Sequence, residues 1–161
     1  MNETTRLRDQ LQRAFDGEAW AGPSLLATLA GLTAAQAAAR PWPGAHSIWE
    51  IVAHATTWAR VVARRLAEDR PLQVSDAEDW PAPPVPADEA AWQSALAALR
   101  AAHEHLLATA APLTEADLDR PIGATHDRSQ GLGSTAYVTL HGVAQHYLYH
   151  AGQVALLRKL V

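Results

Sequence analysis

The 161-residue sequence predicts an all-α fold, a four-helix bundle. Alanine is abundant and runs of β-branched residues are short, which favours helix over strand. Four long segments repeat apolar residues at steps of three and four, the spacing of one helix face. A proline-rich stretch over residues 69–87 separates the second segment from the third and predicts a long surface crossover rather than a structural element. A single domain over residues 1–161 is expected, because this length suits one hydrophobic core.

The first third of the chain predicts one long helix and two short ones. The long helix covers about residues 4–16, with leucines, alanine and phenylalanine on one face. Ser24 is placed to cap a short continuation that ends near Gly31, and Thr33 to cap a single further turn. Two prolines and a glycine within residues 41–44 then predict a connector, because they cannot continue a helix.

The second and third long helices have clear start signals. Ser47 followed by Glu50 is a capping box, which predicts a helix running to about Glu68. Asp88 is the predicted cap of the third long helix, which continues to about Ala110. A short turn near residues 114–118 and an irregular stretch follow before the last helix.

The last helix is expected to begin at Ser134 or Thr135, and it carries two histidines on its inner face. His146 and His150 are four residues apart, so their Cβ atoms should lie about 5–6 Å from each other. The predicted inner face consists of Val143, His146, His150, Gln153, Leu157 and Leu160.

Composition excludes several classes of function. The formal net charge of -4 does not favour binding to nucleic acid or to an acidic membrane surface. The absence of cysteine excludes disulfides, thiolate ligands and a cysteine nucleophile. No signal peptide and no apolar stretch of about 18 residues is evident, which predicts a cytoplasmic protein.

Three histidines are predicted to point into the bundle. His54 lies on the inner side of the second long helix, and His146 and His150 lie on that of the last helix. Buried imidazoles need partners, and either a shared metal ion or ordinary hydrogen bonds would satisfy them. Three neutral imidazoles suit zinc or nickel, and three ligands leave room for water or substrate. On spacing alone, a metal site and two hydrogen-bonded core histidines are equally good interpretations.

Two motifs resemble a known family. Residues 47–54, SIWEIVAH, resemble the second-helix motif of the DinB/YfiT-like proteins, and residues 140–158, LHGVAQHYLYHAGQVALLR, resemble their last-helix motif. The resemblance covers nearly the whole chain and implies a four-helix bundle that binds a divalent metal through His54, His146 and His150. It also implies a homodimer formed by helix packing.

The resemblance leaves the reaction open. Relatives include thiol S-transferases and a mycothiol-dependent isomerase, so we expect a metal-dependent enzyme acting on a small-molecule substrate. Transfer of a low-molecular-weight thiol and metal-assisted hydrolysis use the same ligands, and no catalytic residue is assigned. The alternative function is a non-catalytic metal-binding or interaction module in a stress response.

Three further polar residues are weaker candidates for the site. Glu50 is explained by its capping box, although it lies one turn from His54 and could orient a ligand. His103 is expected inside, lining the cavity or hydrogen-bonded in the core. Gln153 could bond a ligand or substrate, or simply end the polar stretch.

The remaining histidines and two glycines are expected away from the metal. His141 should miss it because this residue lies too far around the helix from His146. Loop or surface positions are expected for the others, His46, His105 and His126. Two glycines inside the last helix predict close approach of another backbone, within the chain or across a dimer; they are Gly142 and Gly152.

Overall fold

A computed structural model describes residues 2–125 and 132–161 of this protein. Four long helices dominate it: α1 (Glu3–Phe15), α4 (Ile48–Glu68), α6 (Glu89–Ala110) and α8 (Ala136–Leu157). Between them lie the short helices α2 (Leu25–Leu29), α3 (Ala34–Ala38), α5 (Asp76–Asp79) and α7 (Glu115–Asp119). The fold is therefore an all-α four-helix bundle, as predicted.

The described residues contain a single sheet, which is a minimal hairpin. Strands β1 (Glu18–Ala19) and β2 (Gly22–Pro23) pair antiparallel between α1 and α2. Gly22 has a φ of 142°, a conformation that side chains with a Cβ rarely adopt, so glycine is favoured in this turn. The hairpin contributes nothing to the histidine site.

Side-chain caps determine where the long helices of the site begin. Ser47 and Glu50 form the predicted capping box at the start of α4. Thr135, one of the two predicted starts of the last helix, caps α8 by accepting from the Val138 N–H. The phase of each helix, and hence the side on which its histidines lie, is set from these positions.

The caps of the other helices follow the prediction with one exception. Asp88 caps α6 by accepting from the Ala91 N–H, and Thr33 caps α3 in a capping box with Gln36. Ser24 occupies the position before α2, but its hydroxyl makes no capping bond, so that part of the prediction is wrong.

The core lies where α4 packs against α6 and α8 while α1 closes the bundle against α8. Trp49 of α4 and Trp92 of α6 are buried with ring centroids 5.1 Å apart. The Trp92 indole N–H donates to the Leu32 carbonyl at 2.9 Å, which ties the α2–α3 segment to the bundle. The separate contact between α4 and α8 brings together the two helices that carry the candidate site.

Two predicted features differ from the structure. The stretch 69–87 is not free of structure, because Ser75 caps the single helical turn α5. Leu160 lies beyond the end of α8 and is exposed, so it does not belong to the inner face.

None of the described helices combines the length and the apolar content needed to cross a bilayer.

Candidate metal centre

Three histidine side chains from two helices meet at one point. His54 of α4 has its Nε2 atom 2.9 Å from the Nε2 of His146, and the Nε2 of His150 is 2.8 Å from that same atom. The ring centroids form a near-regular triangle with sides of 4.9, 4.9 and 4.3 Å. The structure thus brings together the three residues predicted from sequence.

Local structure explains this convergence. His146 and His150 are one helical turn apart on α8, so both rings leave the helix on the side that packs against α4. His54 is 6% exposed and His150 3%, whereas His146 is half-buried. The cluster therefore lies at the edge of the core, with one ring partly open to solvent.

Hydrogen bonds at the opposite ring nitrogens set the tautomers. The Nδ1 of His54 lies 2.8 Å from the carbonyl oxygen of Asp79, and the Nδ1 of His150 lies 2.6 Å from the Gln153 side-chain oxygen. Carbonyl oxygens only accept, so both Nδ1 atoms carry the proton and both Nε2 atoms expose a lone pair. If the Nε2 of His146 carries a proton, it can donate to one neighbour only. At least one of the two Nε2–Nε2 contacts therefore has no hydrogen between its atoms, and at least one Nε2 lone pair has no hydrogen-bond donor.

Burial keeps the rings of His146 and His150 neutral at neutral pH. Desolvation, reinforced by the neighbouring histidines, lowers the pKa of His146 to about 3. Desolvation also lowers the pKa of His150 to about 4, although the hydrogen bond to Gln153 opposes the shift. Neutral imidazole is the form that binds metal ions, so both rings are in the ligating state at neutral pH.

The donor set fits a divalent transition metal. Three nitrogen atoms that lie within 4.8 Å of one another could hold one ion, and the ion would satisfy the facing lone pairs. Partners at Nδ1 are the usual means by which proteins orient histidine ligands. Three imidazoles match zinc or nickel better than magnesium or calcium, which prefer oxygen.

The crossover between α4 and α6 covers one side of the cluster. The sequence did not predict this contact. The Asp79 carboxylate lies 3.0 Å from the Nδ1 of His54 and also accepts from the Trp58 indole N–H. The Trp80 ring is stacked between His46 and His54, with centroid distances of 3.7 and 3.9 Å. The single turn α5 and its C-terminal cap present Asp79 and Trp80 to the cluster. The one available signal was Trp80, a large aromatic among prolines.

An open cleft of about 450 Å³ lies beside the cluster, between α4 and α8. His54, His146 and Asp79 line one end of it, and Arg65 lines it as well. A second cleft of about 350 Å³ is lined by Trp80 and includes Gln153. Small molecules could therefore reach the cluster from solvent.

Glu50 and His103 lie outside the cluster. The carboxylate of Glu50 accepts from the Ser47 N–H at 2.8 Å and pairs with Arg40, so it does not orient a metal ligand. His103 is buried and stacked on Phe15 at 3.8 Å, and no described residue hydrogen-bonds its ring nitrogens. It lines neither of the two clefts that adjoin the cluster, and no described residue supports the hydrogen-bonded alternative.

Predictions for the other polar residues had mixed outcomes. Gln153 does bond a cluster histidine, as expected. His141 contacts Tyr137 and stays away from the cluster. His105 is exposed as expected, and His46 is exposed yet stacks on Trp80. The remaining histidine, at position 126, lies outside the described residues.

The two glycines of α8 do not approach another backbone in the part of the chain that the structure describes. A Cβ built on Gly142 or on Gly152 would meet nothing within 4 Å among the described residues. The prediction of close approach within the chain is therefore wrong, and approach across a dimer stays a prediction.

Comparisons with known proteins agree with this architecture. Residues 19–154 match the family model described as the DinB superfamily. A crystal structure of a conserved protein from Enterococcus faecalis superimposes with a TM-score of 0.71 at 20% sequence identity, covering 100% of this chain and 98% of that chain. At that identity the likeness shows the fold alone. No curated protein matches the sequence.

Proposed function

Because this chain belongs to the DinB superfamily and brings three histidines together beside an open cleft, we propose that it is a cytoplasmic metal-dependent enzyme. The observation that carries the proposal is the convergence of the Nε2 lone pairs. Hydrogen bonds at Nδ1 orient the rings of His54 and His150 toward this point. Hydrogen bonds alone leave this arrangement unsatisfied. We infer that His54, His146 and His150 hold one divalent ion, zinc or nickel.

The proposed reaction is transfer of a low-molecular-weight thiol to an electrophile. Metal-assisted hydrolysis is the other candidate reaction and would use the same residues. A divalent ion would lower the pKa of a thiol or water molecule brought to it and so supply a nucleophile at neutral pH. The chain has no cysteine, so the thiol would come from a bound small molecule. The cleft would position this molecule, and Trp80 would shield His54 from water on the other side.

The alternative, a non-catalytic metal or interaction module of a stress response, requires a site closed to substrate. The cleft of about 450 Å³ that reaches His54 and His146 favours the enzyme. The enzyme and the metal-binding module both require metal, so metal content separates these two from a purely structural histidine cluster and from an interaction module without metal.

The test combines metal content and turnover. Protein purified without chelators or affinity resins that carry metal is analysed for elements, and about one zinc or nickel per chain is expected. The loaded protein is then assayed with bacillithiol, mycothiol or glutathione and a generic electrophile, beside a His150→Ala control. Absence of metal would refute the metal centre, while bound metal without turnover above that control would refute the thiol-transfer reaction.

We also propose that the protein forms a homodimer through the outer face of α8. Tyr149 and Leu156 are 65% and 66% exposed, on the same side of the helix as Gly142 and Gly152. A second backbone approaching Gly152 would account for a residue that no contact within the described chain explains, whereas Gly142 lines the main cleft. Light scattering of the purified protein should give twice the mass of one chain, and Gly152→Trp should shift it to the single-chain mass.

A further inference from the structure

We propose that the cleft beside the histidines binds the carboxylate of a small organic anion through Arg65. The inference rests on the proposed function in one respect, because the other end of the same molecule would lie at the metal. It adds the chemical class of the substrate: an acid whose reacting group is separated from its carboxylate by an apolar linker.

The guanidinium of Arg65 is held in a defined position. Its Nε donates to the Leu72 carbonyl at 3.1 Å, and Nη2 donates to the same oxygen. Its Cζ lies 5.2 Å from the Trp58 ring centroid, a cation–π contact. The Nε–Nη2 edge of the guanidinium is thus hydrogen-bonded, and one of its faces packs on the Trp58 ring. The Nη1 group has no hydrogen-bond acceptor among the described residues.

No carboxylate in the described part of the chain neutralises Arg65. Its neighbour Arg64 pairs with Glu68 at 3.0 Å, which is the usual arrangement for an arginine on a helix surface. Asp79, the acidic residue of the same cleft, is already engaged by His54 and Trp58. An arginine guanidinium stays protonated in proteins, so a positive charge stands in the cleft without a counter-charge from the described residues.

The surroundings of Arg65 suit an anion. Arg65, Ser134 and Thr139 line both the main cleft and an adjoining one of about 320 Å³. No acidic residue among those described lines the adjoining cleft. A guanidinium edge matches the two oxygens of a carboxylate, and a single cation balances its single charge better than that of a phosphate dianion.

Apolar side chains line the cleft between the Arg65 guanidinium and the histidines. The Trp58 ring centroid is 6.4 Å from those of both His54 and His146, and Arg65 contacts the same ring. Val62 and Val143 complete the lining between the two ends. A small molecule could thus place a thiol or another reacting group at the histidines and its carboxylate at Arg65.

The experiment compares two thiols that differ only at the far end. Mercaptohexanoate and the neutral mercaptohexanol are titrated into zinc-loaded protein by calorimetry, with the Arg65 Nε–H signal followed by NMR. Wild-type protein should bind the acid about tenfold more tightly than the alcohol, a difference of about 1.4 kcal/mol, because the carboxylate forms charge-assisted hydrogen bonds with the guanidinium. Arg65→Gln should abolish that preference, whereas the matched control Arg64→Gln should retain it.

Equal affinity of the wild-type protein for acid and alcohol would overturn the proposal, as would a preference that survives Arg65→Gln. Tighter binding of inorganic phosphate than of hexanoate would also overturn it. If zinc does not bind, the proposed function fails, but hexanoate added to metal-free protein still tests Arg65 through its own NMR signal. That titration also serves if Arg65→Gln does not fold, and an Nε–H signal that does not move would refute the carboxylate site.

Discussion

Replacing Gln153 with leucine should weaken metal binding about tenfold without changing any ligand. Its side-chain oxygen accepts from the Nδ1–H of His150 at 2.6 Å, and no other described residue bonds that nitrogen. Leucine has a similar volume but cannot accept a hydrogen bond. The proton then stays on Nδ1 without a partner, or moves to Nε2 and blocks the lone pair that would bind the ion.

The magnitude follows from one hydrogen bond at a buried ring. Losing its acceptor costs about 1–1.5 kcal/mol, and each 1.4 kcal/mol is about tenfold in an equilibrium constant. Competition with a chromophoric zinc chelator near neutral pH measures the change in Kd. Gln153→Glu keeps an acceptor and should bind zinc at least as tightly as the wild type. Gln145→Leu makes the same substitution at an exposed position of α8 and should have no effect.

A Gln153→Leu variant that binds zinc within about twofold of the wild type would refute this reasoning, because the orientation of His150 would then not depend on Gln153. An equal loss in Gln145→Leu would also refute it, by showing that the effect comes from the helix rather than from the site. Circular dichroism of the metal-free variants should show unchanged helix content in all three.

Three further outcomes are expected. His150→Ala should reduce bound zinc to background while the helix content stays unchanged, and retained stoichiometric zinc would contradict the ligand assignment. Asp79→Ala should weaken zinc binding by about threefold to tenfold, at the low end of such losses because the backbone carbonyl at position 79 still accepts from His54. Burial lowers the pKa of His103 from 6.5 to about 4, so the unfolded chain takes up a proton in that range and the folded protein does not. The free energy of unfolding therefore keeps its full value above pH 6.5 and falls by about 3 kcal/mol from this residue as the pH drops to about 4. Measured by urea unfolding, the free energy of unfolding of His103→Leu should fall less steeply over this pH range than that of the wild type. Parallel pH dependences of the two proteins would contradict the assignment.

The fold and the three site histidines were predictable because their signals are local. The capping box at Ser47 and Glu50 marks the start of α4, and hence which face carries His54. The four-residue step from His146 to His150 places both rings on one side of α8 whatever the helix packs against. Helical periodicity wrongly placed Leu160 on the inner face of α8, because the helix ends before this residue and no spacing rule marks where a helix ends.

The second set of site residues was not predictable in the same way. Asp79 and Trp80 lie within the proline-rich stretch 69–87, and nothing in their spacing relates them to His54, which is 25 residues away from Asp79 along the chain. Their position depends on how the crossover folds back over α4. His103 shows the same limit, since its helical position indicates burial but not the absence of a hydrogen-bonding residue around it.

Local sequence was enough to specify the helical class, the limits of the long helices and the inward faces of His54, His146 and His150, because backbone propensity, caps and helical periodicity act over a few residues. It was not enough to show that the three Nε2 atoms converge, or that acceptors on Asp79 and Gln153 orient two of the three rings. Nor did it show that Arg65 lines the same cleft without an ion pair to any described carboxylate. Those facts depend on the distance and rotation between α4, α8 and the crossover. Many side chains far apart in the sequence set that packing together.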